Sequence, residues 1–136
     1  MSSSNARHAQ LPIWRDANLL LLAVEQAVRR FTRYHKYALG TDLRRQAMTV
    51  CRLIVRAAVA PNDARERAVE RLVLAVEDLK LSIQLAKELQ AFASFAEFAR
   101  LAELAVAMGK QSGGWRKSAR VRARPEVLPD AVKAGG

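Results

Sequence analysis

Hydrophobic residues recur along most of the chain at the three- and four-residue spacing that is typical of amphipathic helices. Breaks in this pattern divide it into four predicted helices, from about Pro12 to Tyr34, from Thr41–Asp42 to about Ala60, from Asp63 to about Leu89, and from Ser94 to the run Ser112–Gly114. Gly40 interrupts the pattern before the second helix, and Thr41 and Asp42 are good N-cap residues there. A residue whose side chain can accept a hydrogen bond, followed three residues later by Glu, is typical of a capping box. The pairs Asp63–Glu66 and Ser94–Glu97 fit this pattern and predict the starts of the third and fourth helices.

Short connections between four helices favour an all-α fold, an antiparallel up-down-up-down four-helix bundle. We expect residues 1–11 to form a flexible N-terminus and residues 12–115 to form the bundle. Residues 116–136 are basic and contain Pro and Gly, so we expect a disordered C-terminal tail.

Arginines occupy the faces opposite the predicted core. The first helix has an apolar face that includes Leu20, Phe31 and Tyr34, and its opposite face carries Arg15, Arg29, Arg30 and Arg33. In the second helix, the cluster opposite the core face is Arg45, Arg52 and Arg56. Two such stripes on consecutive helices could merge into one basic surface, or they could simply solvate the outside of the bundle.

The helices carry more leucine than one core needs. Leu74, Leu81 and Leu85 form a second apolar stripe at heptad-like spacing, opposite the core face of the third helix. Leu19 and Leu22 lie among the arginines of the first helix. Exposed apolar stripes of this kind usually mark an interface, so we predict a homo-oligomer. The alternative is a scatter of tolerated surface leucines.

Composition narrows the class of protein. The 136 residues carry a formal charge of +10, and 51% of them are hydrophobic, which argues against a disordered basic tail protein. Residues 1–60 account for +7 of that charge, residues 61–111 for −1 and residues 112–136 for +4, a distribution that indicates a polyanionic partner.

The sequence offers little for catalysis or for a cofactor. One cysteine and two histidines do not make a zinc site, and Cys51 lies on an apolar flank where it is expected to pack. We therefore expect a protein that is not an enzyme and has no metal or cofactor. The longest apolar stretch falls far short of the roughly 20 residues that cross a bilayer, which favours a cytoplasmic protein without a membrane partner.

Basic and aromatic residues alternate from Arg33 to Tyr37. Tyr and Arg planes can stack on unpaired bases, and Lys and Arg bind phosphates. Packing of the tyrosines at a helix end is the structural alternative, and we expect it for Tyr34.

Three stretches carry a resemblance to a known family. RYHKYALGTDLRR (33–45), DLKLSIQLAKEL (78–89) and GKQSGGWRKS (109–118) resemble the first inter-helix junction, the third helix and the C-terminal end of the accessory variability determinant (Avd) family of diversity-generating retroelements. The resemblance covers about residues 12–118. Where the family often has a proline, this chain has Thr32, and its basic tail is longer.

The resemblance implies a basic, ring-like pentamer of four-helix bundles. It also implies a non-enzymatic protein that binds the retroelement reverse transcriptase and nucleic acid, including the template RNA, to support mutagenic cDNA synthesis. The candidate nucleic-acid-binding residues are Arg15, Arg29, Arg30, Arg33, Lys36, Arg45, Arg52, Arg56, Arg116 and Lys117. The open alternatives are a four-helix protein of the kind encoded in 23S ribosomal RNA intervening sequences and a basic protein–protein adaptor.

Overall fold

The computed structural model describes residues 3–123, and within that range the chain is entirely helical without a strand. A 3-10 helix, Ser3–Gln10, precedes five α-helices. They are α1 (Pro12–Arg29), α2 (Arg33–Lys36), α3 (Leu39–Val59), α4 (Asn62–Glu88) and α5 (Phe95–Ala123). The predicted all-α class and the four long helices are confirmed.

The four long helices enclose one main hydrophobic core. Helix α1 packs against α3 and α5, and α4 also packs against α3 and α5, so each long helix has two principal neighbours. The largest fully buried side chains include Leu20, Leu43, Ile54, Leu72 and Met108. A smaller cluster, Ala57, Val69, Val73 and Ala119, joins α3, α4 and the end of α5.

The first helix ends at Arg29, so the predicted extension to Tyr34 is wrong. The N–H groups of Arg30 and Phe31 donate to the carbonyl oxygens of Ala27 and Val28, three residues back, which closes the helix with a tight final turn. Thr32 is extended, with ψ of 149°, and α2 begins after it. Neither Gly nor Pro marks this break, so periodicity alone could not locate it.

Gly40 lies inside α3, and the prediction that it interrupts the helix, with Thr41 or Asp42 as the N-cap, is wrong. A Cβ at Gly40 would lie 2.6 Å from Cγ1 of Val28, closer than carbon atoms can pack. The glycine therefore allows the start of α3 to approach the end of α1.

The two predicted capping boxes have different outcomes. Helix α4 starts at Asn62, with Pro61 at the N-cap and no side-chain cap, so the Asp63–Glu66 box is wrong. At α5 the backbone N–H of Glu97 donates to Ser94 Oγ at 3.2 Å, which confirms Ser94 as the capping side chain. The Glu97 carboxylate pairs with Arg30 and does not complete the box. The turn before α5 contains Gln90 at φ 59°, and the Ala91 N–H closes it on the Ala86 carbonyl.

Helix α5 continues through Gly113 and Gly114 to Ala123, so the predicted helix end and the domain boundary at 115 are wrong. Ala119 is buried in the smaller cluster, and Trp115 packs against both clusters, which explains why the helix extends. Residues 116–123 thus belong to the bundle, whereas the remainder of the predicted tail, 124–136, lies outside the described residues.

From Ser3 onward, the N-terminal segment also differs from the prediction of a flexible 1–11, of which residues 1 and 2 lie outside the described residues. Its 3-10 helix contacts α1 and α3, and the His8 ring meets the Trp14 ring edge-on with centroids 4.5 Å apart. The segment packs because Trp14, half-buried at the start of α1, offers it an aromatic surface.

Candidate nucleic-acid interface

Three arginines form an exposed stripe along α3. Arg45, Arg52 and Arg56 are all exposed, while Leu43 and Ile54 on the opposite side are buried. None of the three forms an ion pair with an acid among residues 3–123. The α3 stripe predicted from the sequence therefore presents unneutralised guanidinium groups to solvent.

Helix α1 extends this surface through a shared carboxylate. Glu25 pairs with Arg44 of α3, with Nε 2.8 Å from Oε1, and with Arg29 of its own helix, with Nε 3.5 Å from Oε2. One negative charge thus holds two arginines at the α1–α3 boundary, and their combined charge remains positive. Arg44 was missed by the sequence analysis because Glu25 lies 19 positions away from it.

The far end of the same helix pair carries Arg15. The Cys51 thiol of α3 lies 3.9 Å from the Ala17 carbonyl oxygen of α1. Arg52 follows Cys51 and Arg15 precedes Ala17 by two residues, so both arginines belong to the same end of the α1–α3 pair. Arg15 is exposed. We call the exposed cationic surface of α1 and α3 the basic face, and it consists of Arg15, Arg29, Arg44, Arg45, Arg52 and Arg56.

A shallow groove crosses the basic face. It is lined by Thr41, Arg44, Arg45, Met48 and Arg52, which follow one another at helical spacing along α3. The guanidinium groups of its arginines are planar forks that can bind phosphate oxygens two at a time. A groove with this lining can hold a polyanion.

Two predicted cations belong to other surfaces. Arg30 pairs with Glu97 of α5 at 3.0 Å, so it faces α5 and not the basic face. Arg116 pairs with Glu70 of α4 at 3.6 Å, which places it on the α4–α5 side. Both acids lie far away in sequence, and their pairing could not be seen from helical periodicity.

The remaining predicted cations lie on helices other than the two that carry the basic face. Arg33 and Lys36 are in α2, where Arg33 is exposed and Lys36 is half-buried. The grouping of Arg33 with the α1 arginines is corrected because α1 ends four residues earlier, at Arg29. Lys117 is exposed on α5 and is helical, in contrast to the predicted tail.

Leucines on the outside of α4 form a second candidate surface. Leu74, Leu81 and Leu85 are about half exposed, at 57%, 57% and 48%, as the second apolar stripe requires. Helix α5 carries two further exposed apolar residues that were not predicted, Phe95 and Val106. We call the three leucines of α4 the apolar strip.

The other two leucines of the predicted interface do not belong to the apolar strip. Leu19 is half-buried and packs against the main core, which corrects its assignment as a surplus leucine. Leu22 is exposed, but it lies on α1 between Arg15 and Arg29 at heptad spacing.

Cys51 packs, as expected from the sequence. Its side chain is half-buried against the core, and burial raises the pKa of the thiol above its ordinary value of 9.0, while the nearby Arg52 charge opposes the shift. Across residues 3–123, no three His, Cys, Asp or Glu side chains come together as a metal-binding group. None of the helices in that range is both long enough and apolar enough to span a bilayer.

Comparison of the chain with protein-family models, with curated proteins and with solved structures finds no match.

Proposed function

We propose that this protein is a non-enzymatic accessory factor of a diversity-generating retroelement. In this proposal it binds the reverse transcriptase and nucleic acid, template RNA or cDNA, and supports mutagenic cDNA synthesis in the cytoplasm. The reverse transcriptase is part of the proposal because residues 12–118 resemble the Avd family. Nucleic-acid binding rests on one structural observation, the unneutralised α3 stripe on the basic face.

The physical mechanism is neutralisation of phosphates. A polynucleotide carries a regular line of negative charge and a condensed layer of counterions, and arginines that replace those counterions gain free energy by releasing them. Arg45, Arg52 and Arg56 follow one another along α3 at spacings of seven and four residues, so they present a line of charge. Phosphate contacts carry no sequence information, and we expect little dependence on base sequence from this face.

The proposal includes an antiparallel bundle in up-down-up-down order. It is supported by ion pairs that join the end of one helix to the start of its neighbour. Arg30, which follows α1, pairs with Glu97 near the start of α5, and Arg120 near the end of α5 pairs with Glu66 near the start of α4.

The proposal also includes self-association, as a pentamer by the family resemblance. The apolar strip supports an oligomer because several large apolar side chains are left half exposed along one side of α4. Repeating the basic face in each subunit would convert several weak phosphate contacts into avidity for one RNA molecule.

The test compares two triple variants that remove the same charge. Arg45→Gln/Arg52→Gln/Arg56→Gln removes the α3 stripe, and Arg67→Gln/Arg71→Gln/Arg100→Gln removes three exposed arginines of α4 and α5. Fluorescence anisotropy with a labelled template RNA measures the affinity of each. We expect the first variant to lose affinity on the order of 10- to 100-fold, from three exposed charge contacts, and the control to change much less.

Equal losses in both variants would show that only net charge matters, and they would remove the assigned face. A wild-type protein that binds an acidic protein but no RNA would instead support the adaptor alternative. Co-purification with a retroelement reverse transcriptase tests the retroelement assignment and separates it from the ribosomal intervening-sequence alternative.

A further inference from the structure

Helix α2 and the residue that follows it present two tyrosine rings to solvent. Tyr34 is 86% exposed and Tyr37 is 75% exposed, and no residue of α2 is buried. Arg33 and Lys36 lie beside them in the sequence. We call Arg33, Tyr34, Lys36 and Tyr37 the aromatic platform.

The fold does not account for these rings. The tryptophans at positions 14 and 115 and the phenylalanines at 31, 92 and 98 all pack in or against the main core. Tyr34 was expected to do the same, but the end of α1 at Arg29 moves it off the core face of that helix. Tyr34 and Tyr37 add no appreciable hydrophobic stabilisation to the fold, since both rings remain in water.

Tyr34 and Tyr37 lie three residues apart, on one side of the segment. Residues three apart on a helix lie about 5–6 Å from each other at Cβ, and Tyr37 keeps a helical conformation, with φ −93° and ψ −5°. The His35 ring meets Tyr34 edge-on, with centroids 5.0 Å apart.

We propose that the aromatic platform stacks on unpaired bases, so that the protein prefers single-stranded nucleic acid to duplex. This inference rests on the proposed function and specifies its ligand. Base stacking on an aromatic side chain tolerates any sequence, because every base has a flat face. In a duplex those faces are already stacked, and the major groove of an RNA helix is too deep and narrow for side chains to read.

The platform immediately precedes the α3 part of the basic face along the chain. Helix α2 ends at Lys36 and contacts α3, whose first turns carry Arg44 and Arg45 of the groove described above. In this proposal, a strand whose phosphates follow the α3 arginines places its next bases on Tyr34 and Tyr37. Arg33 and Lys36 supply phosphate contacts at the platform itself.

The experiment uses the full-length protein and three labelled probes, each about 20 nucleotides long to exceed a typical single-strand site. They are an unstructured RNA, a DNA of the same sequence and the corresponding RNA duplex. We expect tighter binding to both single strands than to the duplex. Tyr34→Ala/Tyr37→Ala should lose affinity for the single strands on the order of 10- to 100-fold and change duplex binding less than about twofold.

Tyr34→Phe/Tyr37→Phe is the matched control because it keeps the rings and removes the hydroxyl groups. It should bind single strands as the wild type does, and circular dichroism should show the same helical content in all three proteins. Loss of single-strand affinity in the Phe variant as large as in the Ala variant would overturn stacking in favour of hydrogen bonds from the phenols.

Other outcomes separate this inference from the proposed function. If the Ala variant binds single strands like the wild type while the wild type binds RNA tightly, the platform is refuted and the proposed function stands. If the wild type binds no nucleic acid, both fail. If the Ala variant loses only the reverse transcriptase, the tyrosines belong to a protein interface and the inference is overturned.

Discussion

The contact between Gly40 and Val28 gives a sharp prediction about the fold. Gly40 is buried in the first turns of α3, and Val28 is 2% exposed near the end of α1. A methyl group at position 40 would lie 2.6 Å from Cγ1 of Val28 and 3.6 Å from its Cβ and Cγ2. Val28 is β-branched and stiff at χ1, so it cannot easily swing away.

The size of the effect follows from two opposing contributions. Overpacking a tight site costs roughly 1–3 kcal/mol, while replacing a helical glycine by alanine stabilises the folded state by roughly 0.5–1 kcal/mol. Taking the middle of each range, Gly40→Ala should lower the free energy of unfolding by about 1 kcal/mol, which corresponds to a fall in Tm of about 3–6 °C for a chain of this size.

Gly114→Ala is the control, since no atom beyond its own helical turns lies within 4 Å of the position that a Cβ would occupy. It should raise the free energy of unfolding by about 0.5–1 kcal/mol. Urea unfolding followed by circular dichroism measures both variants. Val28→Ala removes the methyl group that an alanine side chain at position 40 would contact. The Val28→Ala/Gly40→Ala double variant should therefore have a higher free energy of unfolding than the sum of the two single changes predicts. If the Gly40→Ala variant is as stable as the wild type or more stable, the close approach of α1 and α3 is refuted.

Three further predictions concern the apolar strip, the end of α5 and Cys51. Leu81→Glu/Leu85→Glu should shift the sedimentation coefficient at micromolar concentration to that of a single subunit. The control, Leu22→Glu on α1, should leave it unchanged. A wild type that sediments as a single subunit would contradict the interface. A chain ending at Ala123 should be more stable in thermal unfolding than one ending at Trp115, by about 1–2 kcal/mol, because Ala119 is buried. Equal stabilities of the two chains would support the predicted domain boundary at 115. The raised pKa of Cys51 means that the folded state holds the thiol proton more tightly than the unfolded chain, so the free energy of unfolding should fall as pH rises above about 9. Cys51→Ala should remove that part of the pH dependence in urea unfolding at about pH 8 and pH 10, and an identical slope in both proteins would contradict it.

Periodicity predicted the four long helices but could not assign the glycines. Gly40, Gly113 and Gly114 all look like helix ends in the sequence, yet all three are helical. The role of a glycine depends on which atoms face it across the bundle, as Val28 faces Gly40, and such distances are set by packing. The end of α1 was missed for a related reason, because backbone hydrogen bonds to Ala27 and Val28 close it without a breaking residue.

The candidate site was partly predictable for similar reasons. The α3 stripe follows from helix geometry alone, and its three arginines are exposed as expected. Arg30 and Arg116 were assigned to the same function because the acids that pair with them, Glu97 and Glu70, are distant in sequence. The exposure of Tyr34 depends on the early end of α1, so a helical wheel extended to that residue places its ring on the wrong side.

The most direct test of phosphate neutralisation is the salt dependence of RNA binding in the wild type and in Arg45→Gln/Arg52→Gln/Arg56→Gln. Each phosphate contact with a single strand adds about 0.7 to the slope of log affinity against log salt, so losing three contacts should reduce the steepness by about 2. We predict a steep fall of affinity with salt in the wild type and this smaller slope in the variant. A wild-type affinity that is insensitive to salt, or the same slope in both proteins, would contradict the assignment of the α3 stripe.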